Sequence, residues 1–116
     1  MLVHALDESF KEVKPGNMAS MISIAMNKVI GEAGYAKYCR PPYMRVRGHG
    51  FGVGSVAPGT VIHDDTKVNI EKHHVLAVHP NQYIPETGYL ACGETLLVTD
   101  TGMERLTKTE AKLYIK

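Results

Sequence analysis

Along the first part of the chain, apolar residues recur with the period of a helix face. Leu2, Leu6, Phe10 and Val13 are spaced by four, four and three, and Lys14-Pro15-Gly16 ends the run. Asn17 is placed to cap a second helix. Along that helix Met18, Met21, Ile22, Ala25, Met26, Val29 and Ile30 form one apolar stripe, with Gly34 available as a left-handed stop. Methionines in such a stripe are packing residues. The helical period then disappears. Pro41-Pro42 and the glycine-dense stretch from Gly48 to Gly54 predict irregular backbone or short extended pieces. Val75-Leu76-Ala77-Val78 reads as a buried strand halted by His79-Pro80-Asn81. A second extended run goes from Tyr89 to Thr99, and Asp100-Thr101-Gly102 predicts a turn returning Met103 to Leu106 as the other arm of a hairpin. Thr109 to Tyr114 suggests at most one closing helical turn.

Two helices followed by antiparallel strands predict an α+β fold, the helices covering one face of a curved, mostly antiparallel sheet. With 116 residues and no linker, repeat or low-complexity tract, residues 1–116 are expected to form a single domain. So few strands leave sheet edges open, which predicts pairing with a second copy, a homodimer, or with another chain. The 13 basic and 12 acidic side chains give a net charge of +1, so no nucleic-acid or membrane-surface partner is indicated. Arg40, Arg45 and Arg47 read as solvated loop. Short apolar runs and the lack of a secretory layout at the amino terminus predict a cytoplasmic protein without a membrane span. Cys39 and Cys92, far apart and in no C-x-x-C pattern, read as reduced thiols.

Four landmarks carry a resemblance. Val13-Lys14-Pro15-Gly16 leads into the helix that ends in Glu32-Ala33-Gly34-Tyr35. Gly48-His49-Gly50-Phe51-Gly52 follows, then Val78-His79-Pro80-Asn81-Gln82-Tyr83-Ile84-Pro85, and finally Glu94-Thr95-Leu96-Leu97-Val98-Thr99 running on to Glu104-Arg105-Leu106-Thr107. In this order and spacing the chain resembles the carboxy-terminal half of the pita-bread family, which includes methionine aminopeptidases, Xaa-Pro peptidases and creatinase. The resemblance implies a catalytic unit about twice this length, built from two similar halves, of which this chain matches the second. It also implies a centre of two metal ions held by two aspartates, one histidine and two glutamates. The aspartates belong to strands preceding the matched region, and nothing in this chain is expected to replace them.

Carried over residue by residue, His49 falls on the ligand histidine. His79 replaces one glutamate, and an imidazole cannot bridge two hard ions as a carboxylate does. Anchored on Thr95 to Thr99, the other ligand glutamate falls on Gly93. Alternation of faces along a strand then points Glu94 away from the pocket, unless a bulge at Gly93 turns it back. The position of the family's second histidine is Val56. His49, His79 and Glu94 are therefore the candidate pocket. They form either a reduced site for one divalent metal ion, with His49 and His79 as its ligands, or the remains of a site with no cofactor. No catalytic residue is assigned. His4, His73 and His74 are expected at the surface, and Cys92 reads as an inert thiol. The implied function is a binding or self-assembly module that is not a peptidase on its own. Its rivals are one half of a Xaa-Pro peptidase or creatinase-like hydrolase completed by a complementary half domain, and a single-metal binding protein.

Overall fold

The computed structural model describes residues 1–50 and 61–107. The expected closing turn from Thr109, Val56 and most of the glycine-dense stretch lie outside these residues. Helix α1 spans Leu2–Phe10 and α2 spans Ser20–Ile30. The chain continues from α2 through Gly31–Tyr35, where Gly34 takes φ 99°, the left-handed conformation that ends the helix. Among the described residues seven short strands follow: β1 Gly48–Gly50, β2 Val61–Ile62, β3 Val75–Val78, β4 Gln82–Ile84, β5 Gly88–Leu90, β6 Glu94–Val98 and β7 Met103–Arg105. Five of them form an antiparallel sheet in the order β2-β1-β3-β6-β7, and β4 and β5 pair separately as a hairpin.

Alternation along the strands decides which side of the sheet the helices cover. Leu76, Val78, Leu96 and Val98 are fully buried and join Ala5, Leu6, Ile22, Met26 and Ile30 in the core. Their neighbours Val75, Ala77, Thr95 and Leu97 are half-buried and occupy the opposite face. The result is an α+β fold with one helix-covered face and a second, open face that no helix among the described residues covers.

Several expectations are corrected. Asn17 does not cap α2: the helix starts at Ser20, and the Asn17 amide donates to the Glu12 carbonyl at 3.0 Å. The segment 66–70 takes over the work of a cap. The N–H groups of Gly16, Ala19 and Ser20 donate to the carbonyls of Ile70, Val68 and Thr66, so amides that would otherwise lack partners are satisfied by backbone rather than by a side chain. α1 ends at Phe10, short of Val13, although Val13 is fully buried. In the α2 stripe Met21 faces outward, 38% exposed. The run from Tyr89 to Thr99 is two strands in different sheets, broken at Ala91-Cys92-Gly93. The arginine stretch is not uniformly solvated. Arg40 and Arg45 are exposed, whereas Arg47 is completely buried.

Candidate functional site

The three candidate residues sit on β1, β3 and β6 or directly after them, and the register of these strands fixes where each side chain points. His49 pairs with Ala77, and Ala77 with Thr95, so these three share the open face. Gly48, Val78 and Glu94 form the adjacent row, on the helix-covered face. The β1–β3 ladder gains one further rung past β3, where the His79 N–H donates to the Arg47 carbonyl at 2.8 Å. Two residues beyond Ala77, His79 thereby returns to the side of His49, and their ring centroids are 5.7 Å apart with planes inclined at 55°. The structure brings His49 and His79 together and sends Glu94 to the other side of the sheet.

Glu94 is held there firmly. Its side chain is only 2% exposed. Oε2 accepts Arg105 Nε at 3.0 Å and Nη2 at 2.9 Å, and Oε1 accepts the Thr95 N–H at 3.0 Å and the Thr107 hydroxyl. Burial acts to raise its pKa, but the hydrogen bonds from Thr107, Arg105 and Thr95, with the Arg105 charge, outweigh it and hold the carboxyl below its ordinary value. No bulge turns Glu94 back, because Glu94 pairs regularly with Val78. Gly93, the preceding residue, packs against His79. A β-carbon at position 93 would meet the Val78 carbonyl oxygen at 3.0 Å and the His79 β-carbon at 3.1 Å, so the backbones have closed over the place a side chain would occupy.

The two imidazoles are in different surroundings. The His49 Nδ1 is 2.9 Å from the Gly50 carbonyl oxygen. The His79 Nδ1 is buried and has no hydrogen-bond partner among the described residues. Burial pushes the His79 pKa below its ordinary value, outweighing a hydrogen-bonding interaction with its own backbone that acts to raise it, and the neighbouring His49 and Arg47 act in the same direction as burial, which favours the neutral ring.

Arg47, whose carbonyl accepts the His79 N–H, is itself anchored by its side chain, which is buried rather than solvated. The Arg47 guanidinium donates to Asn27 Oδ1 at 2.8 Å on α2, to the Asn81 carbonyl at 2.6 Å and to Gln82 Oε1 at 2.8 Å. Asn27 and Ser23 in turn donate to Asp64 at 2.9 and 2.7 Å, which supplies the opposite charge two bonds away. A buried charge is tolerated when its donors are satisfied in this way. Nothing local separates Arg47 from Arg45, since the Arg47 partners lie 20, 34 and 35 residues away along the chain. Cys39 and Cys92 are both free thiols, and burial raises the pKa of each, which makes them poor nucleophiles.

Two helices on a mostly antiparallel sheet, in this order, make the architecture of a partial pita-bread domain. The chain belongs to metallopeptidase family M24, whose family model matches residues 1–100. Among its relatives, the Xaa-Pro dipeptidase of Pyrococcus horikoshii is 30% identical over 113 residues, and that of Pyrococcus furiosus is 29% identical over 113 residues. Each alignment takes in 97% of this chain and 31% of the relative. The solved structure of the Pyrococcus horikoshii prolidase superposes with a TM-score of 0.82 at 28% identity, covering 97% of this chain and 31% of that one. An X-Pro aminopeptidase from Thermotoga maritima, at 22% identity and a TM-score of 0.81, shares the fold. The chain thus spans about a third of the length of the relatives it matches.

The family implies a pair of divalent metal ions, and the donors present do not fit such a pair. Hard divalent ions take oxygen ligands, with carboxylates to neutralise their charge. At the positions onto which the resemblance carries the family's two ligand glutamates, this chain has an imidazole, His79, and a glycine, Gly93. The nearby carboxylate, Glu94, is turned to the opposite face and paired with Arg105. Among the described residues there is no group of three or more His, Cys, Asp or Glu side chains arranged to hold a metal ion.

Proposed function

We propose that this chain, residues 1–116 taken as a single domain, is an M24 half domain that does not carry out two-metal peptide hydrolysis and acts instead as a binding or assembly module in the cytoplasm. The observation that supports this reading is the combination of His79 and Gly93 on the open face with Glu94 locked on the other one. It applies whatever polypeptide precedes or follows these residues, because both substituted ligand positions lie within them. A two-ion hydrolase needs oxygen donors to bridge its metals and to lower the pKa of the attacking water. No catalytic residue is assigned, and no resident cofactor is required for the assembly role.

The partner that fits best is a second copy of the chain. Among the described residues the sheet ends in short strands, β2 with two residues and β7 with three; Val61 in β2 and Leu106 just after β7 are 39% and 49% exposed. A twofold pair would cover such edges symmetrically and reproduce the two-half plan of the family. A complementary half domain on another chain is the alternative occupant. No helix among the described residues is long and apolar enough to cross a membrane.

Purified chain assayed on Xaa-Pro dipeptides, with and without Mn²⁺ or Co²⁺, is expected to show no turnover above background. Metal-stimulated hydrolysis that disappears in His49→Ala would overturn the reading. Light scattering at high micromolar concentration is expected to give twice the chain mass, and a strict monomer would remove the self-assembly part.

A further inference from the structure

The core takes only part of the apolar surface that α2 carries. Ile22, Met26 and Ile30 are fully buried in it, while Met21, Ile24, Ala25 and Val29 line a groove of about 560 Å³ that α2 shares with α1. Met21 and Ile24 are three residues apart on one helix and are 38% and 51% exposed, so their apolar surface is continuous rather than scattered. The rim is charged. Glu8 and Glu12 come from α1 and the residues after it, Glu32 comes from the turn after α2, and Lys28 is the lysine among the lining residues. Glu8 is paired with Lys11 at 2.8 Å. Glu12 has the Asn17 amide at 3.3 Å, and neither Glu12 nor Glu32 has a cation within ion-pair distance among the described residues. Glu32 also follows the C-terminus of α2 directly, where the helix dipole disfavours a carboxylate and favours a cation. The walls constrain the backbone of any occupant as well. Helices bond their N–H and C=O groups internally and offer no strand edge, so an extended peptide laid on this apolar floor would leave its own backbone groups unpaired, whereas a helix satisfies them itself.

We propose that the groove between α1 and α2 is a docking site for a cationic amphipathic helix of a partner protein, with the apolar face of that helix on Met21, Ile24 and Val29 and its lysines or arginines paired with Glu12 and Glu32. From Met21 to Glu32 the groove runs for about 16 Å, so about three turns of a partner helix fill it. Apolar contact supplies the affinity, and the two carboxylates select the sign of the partner's charge. This inference goes beyond the assembly role and does not depend on it: twofold pairing uses the β2 and β7 edges, and no residue of either strand lines the groove.

Fluorescence anisotropy of a labelled peptide titrated with the full chain tests it. The probe is about 18 residues long, with leucines at i, i+3, i+4 and i+7 spacing and lysines on the other face. Saturable binding is expected with a dissociation constant below about 100 µM, weakening several-fold as NaCl rises from about 50 to about 300 mM. Ile24→Gln, and separately the double variant Glu12→Gln/Glu32→Gln, should each weaken binding at least about fivefold, with folding checked by circular dichroism. Met21→Gln replaces Ile24→Gln if that variant does not fold. Tyr89→Gln, which changes an exposed ring on the β4–β5 hairpin, should bind as the parent does. Three results would overturn the proposal. They are no saturable binding of the lysine peptide by the folded parent, equal binding of a peptide with its leucines scrambled or its lysines replaced by glutamates, and parental affinity in the groove variants. Light scattering reports the assembly separately, so failure here is distinguishable from failure of the assembly reading.

Discussion

Glu94→Gln tests the placement of the carboxylate that follows Gly93 on β6. The substitution keeps the side-chain shape but replaces one carboxylate oxygen by an amide nitrogen, which must face either the Arg105 fork or the donors Thr95 N–H and Thr107 hydroxyl. A hydrogen bond to a charged group is worth about 1.5–3 kcal/mol, and stranding a buried donor adds to the loss. Arg105 is 39% exposed, so water recovers part of its interaction. The net destabilisation at pH 7 is therefore about 2–3 kcal/mol, or a fall in Tm of about 8–12 °C. The folded-state pKa of Glu94 lies below its ordinary 4.5. Its contribution is complete above the ordinary carboxylate value, and is lost as the pH falls through the depressed folded-state value. Urea unfolding of parent and variant at pH 7 and at descending acid pH should show a gap that is widest at neutrality and narrows below about pH 4.5. A gap under about 0.5 kcal/mol at pH 7, or one that persists unchanged into acid, would refute the assignment of Glu94 as an ionised, locked group.

Three further substitutions probe the framework that positions the histidines. In Gly48→Ala the new β-carbon would lie 2.4 Å from the Ala77 carbonyl oxygen and 3.1 Å from the Val78 α-carbon, so β1 and β3 must separate; a loss of about 3 kcal/mol or more is expected in urea unfolding, with weakened protection of the His49 amide in hydrogen exchange. Arg47→Leu removes the donor to Asn27, Asn81 and Gln82, leaving three acceptors unpaired and Asp64 without its cation, and should destabilise by about 3–4 kcal/mol. His73 adopts φ 73°, a left-handed conformation that costs a non-glycine residue about 1 kcal/mol, so His73→Gly should be neutral to stabilising by about 0.5 kcal/mol in the same assay.

The parts of this architecture written in local periodicity could be read directly from the sequence. The α1 and α2 faces, the left-handed stop at Gly34, β3 and the β6–β7 hairpin follow from spacing and turn chemistry over a few residues. Alternation along β6 was enough to expect Glu94 on the far side from His49, because period two holds in any regular strand. The features that escaped are non-local. Backbone from 66–70 reaches the start of α2 and takes over the role given to Asn17, and the Arg47 partners are scattered over three separate elements. The break at Ala91-Cys92-Gly93 was hidden for a similar reason. Residues on both sides favour extended backbone, and only pairing with β4 on one side and β3 on the other divides the run.

The central claim is that the open face of this M24 half domain presents imidazoles where a two-ion centre needs carboxylates. Electron paramagnetic resonance of Mn²⁺ titrated into the folded chain addresses it most directly, since free hexaaquo Mn²⁺ and a coupled pair of bound ions have different spectra. The account predicts that the free-ion signal grows linearly from the first addition. Loss of that signal up to two equivalents per chain, with the spectrum of a spin-coupled pair and its disappearance in His49→Ala, would contradict it.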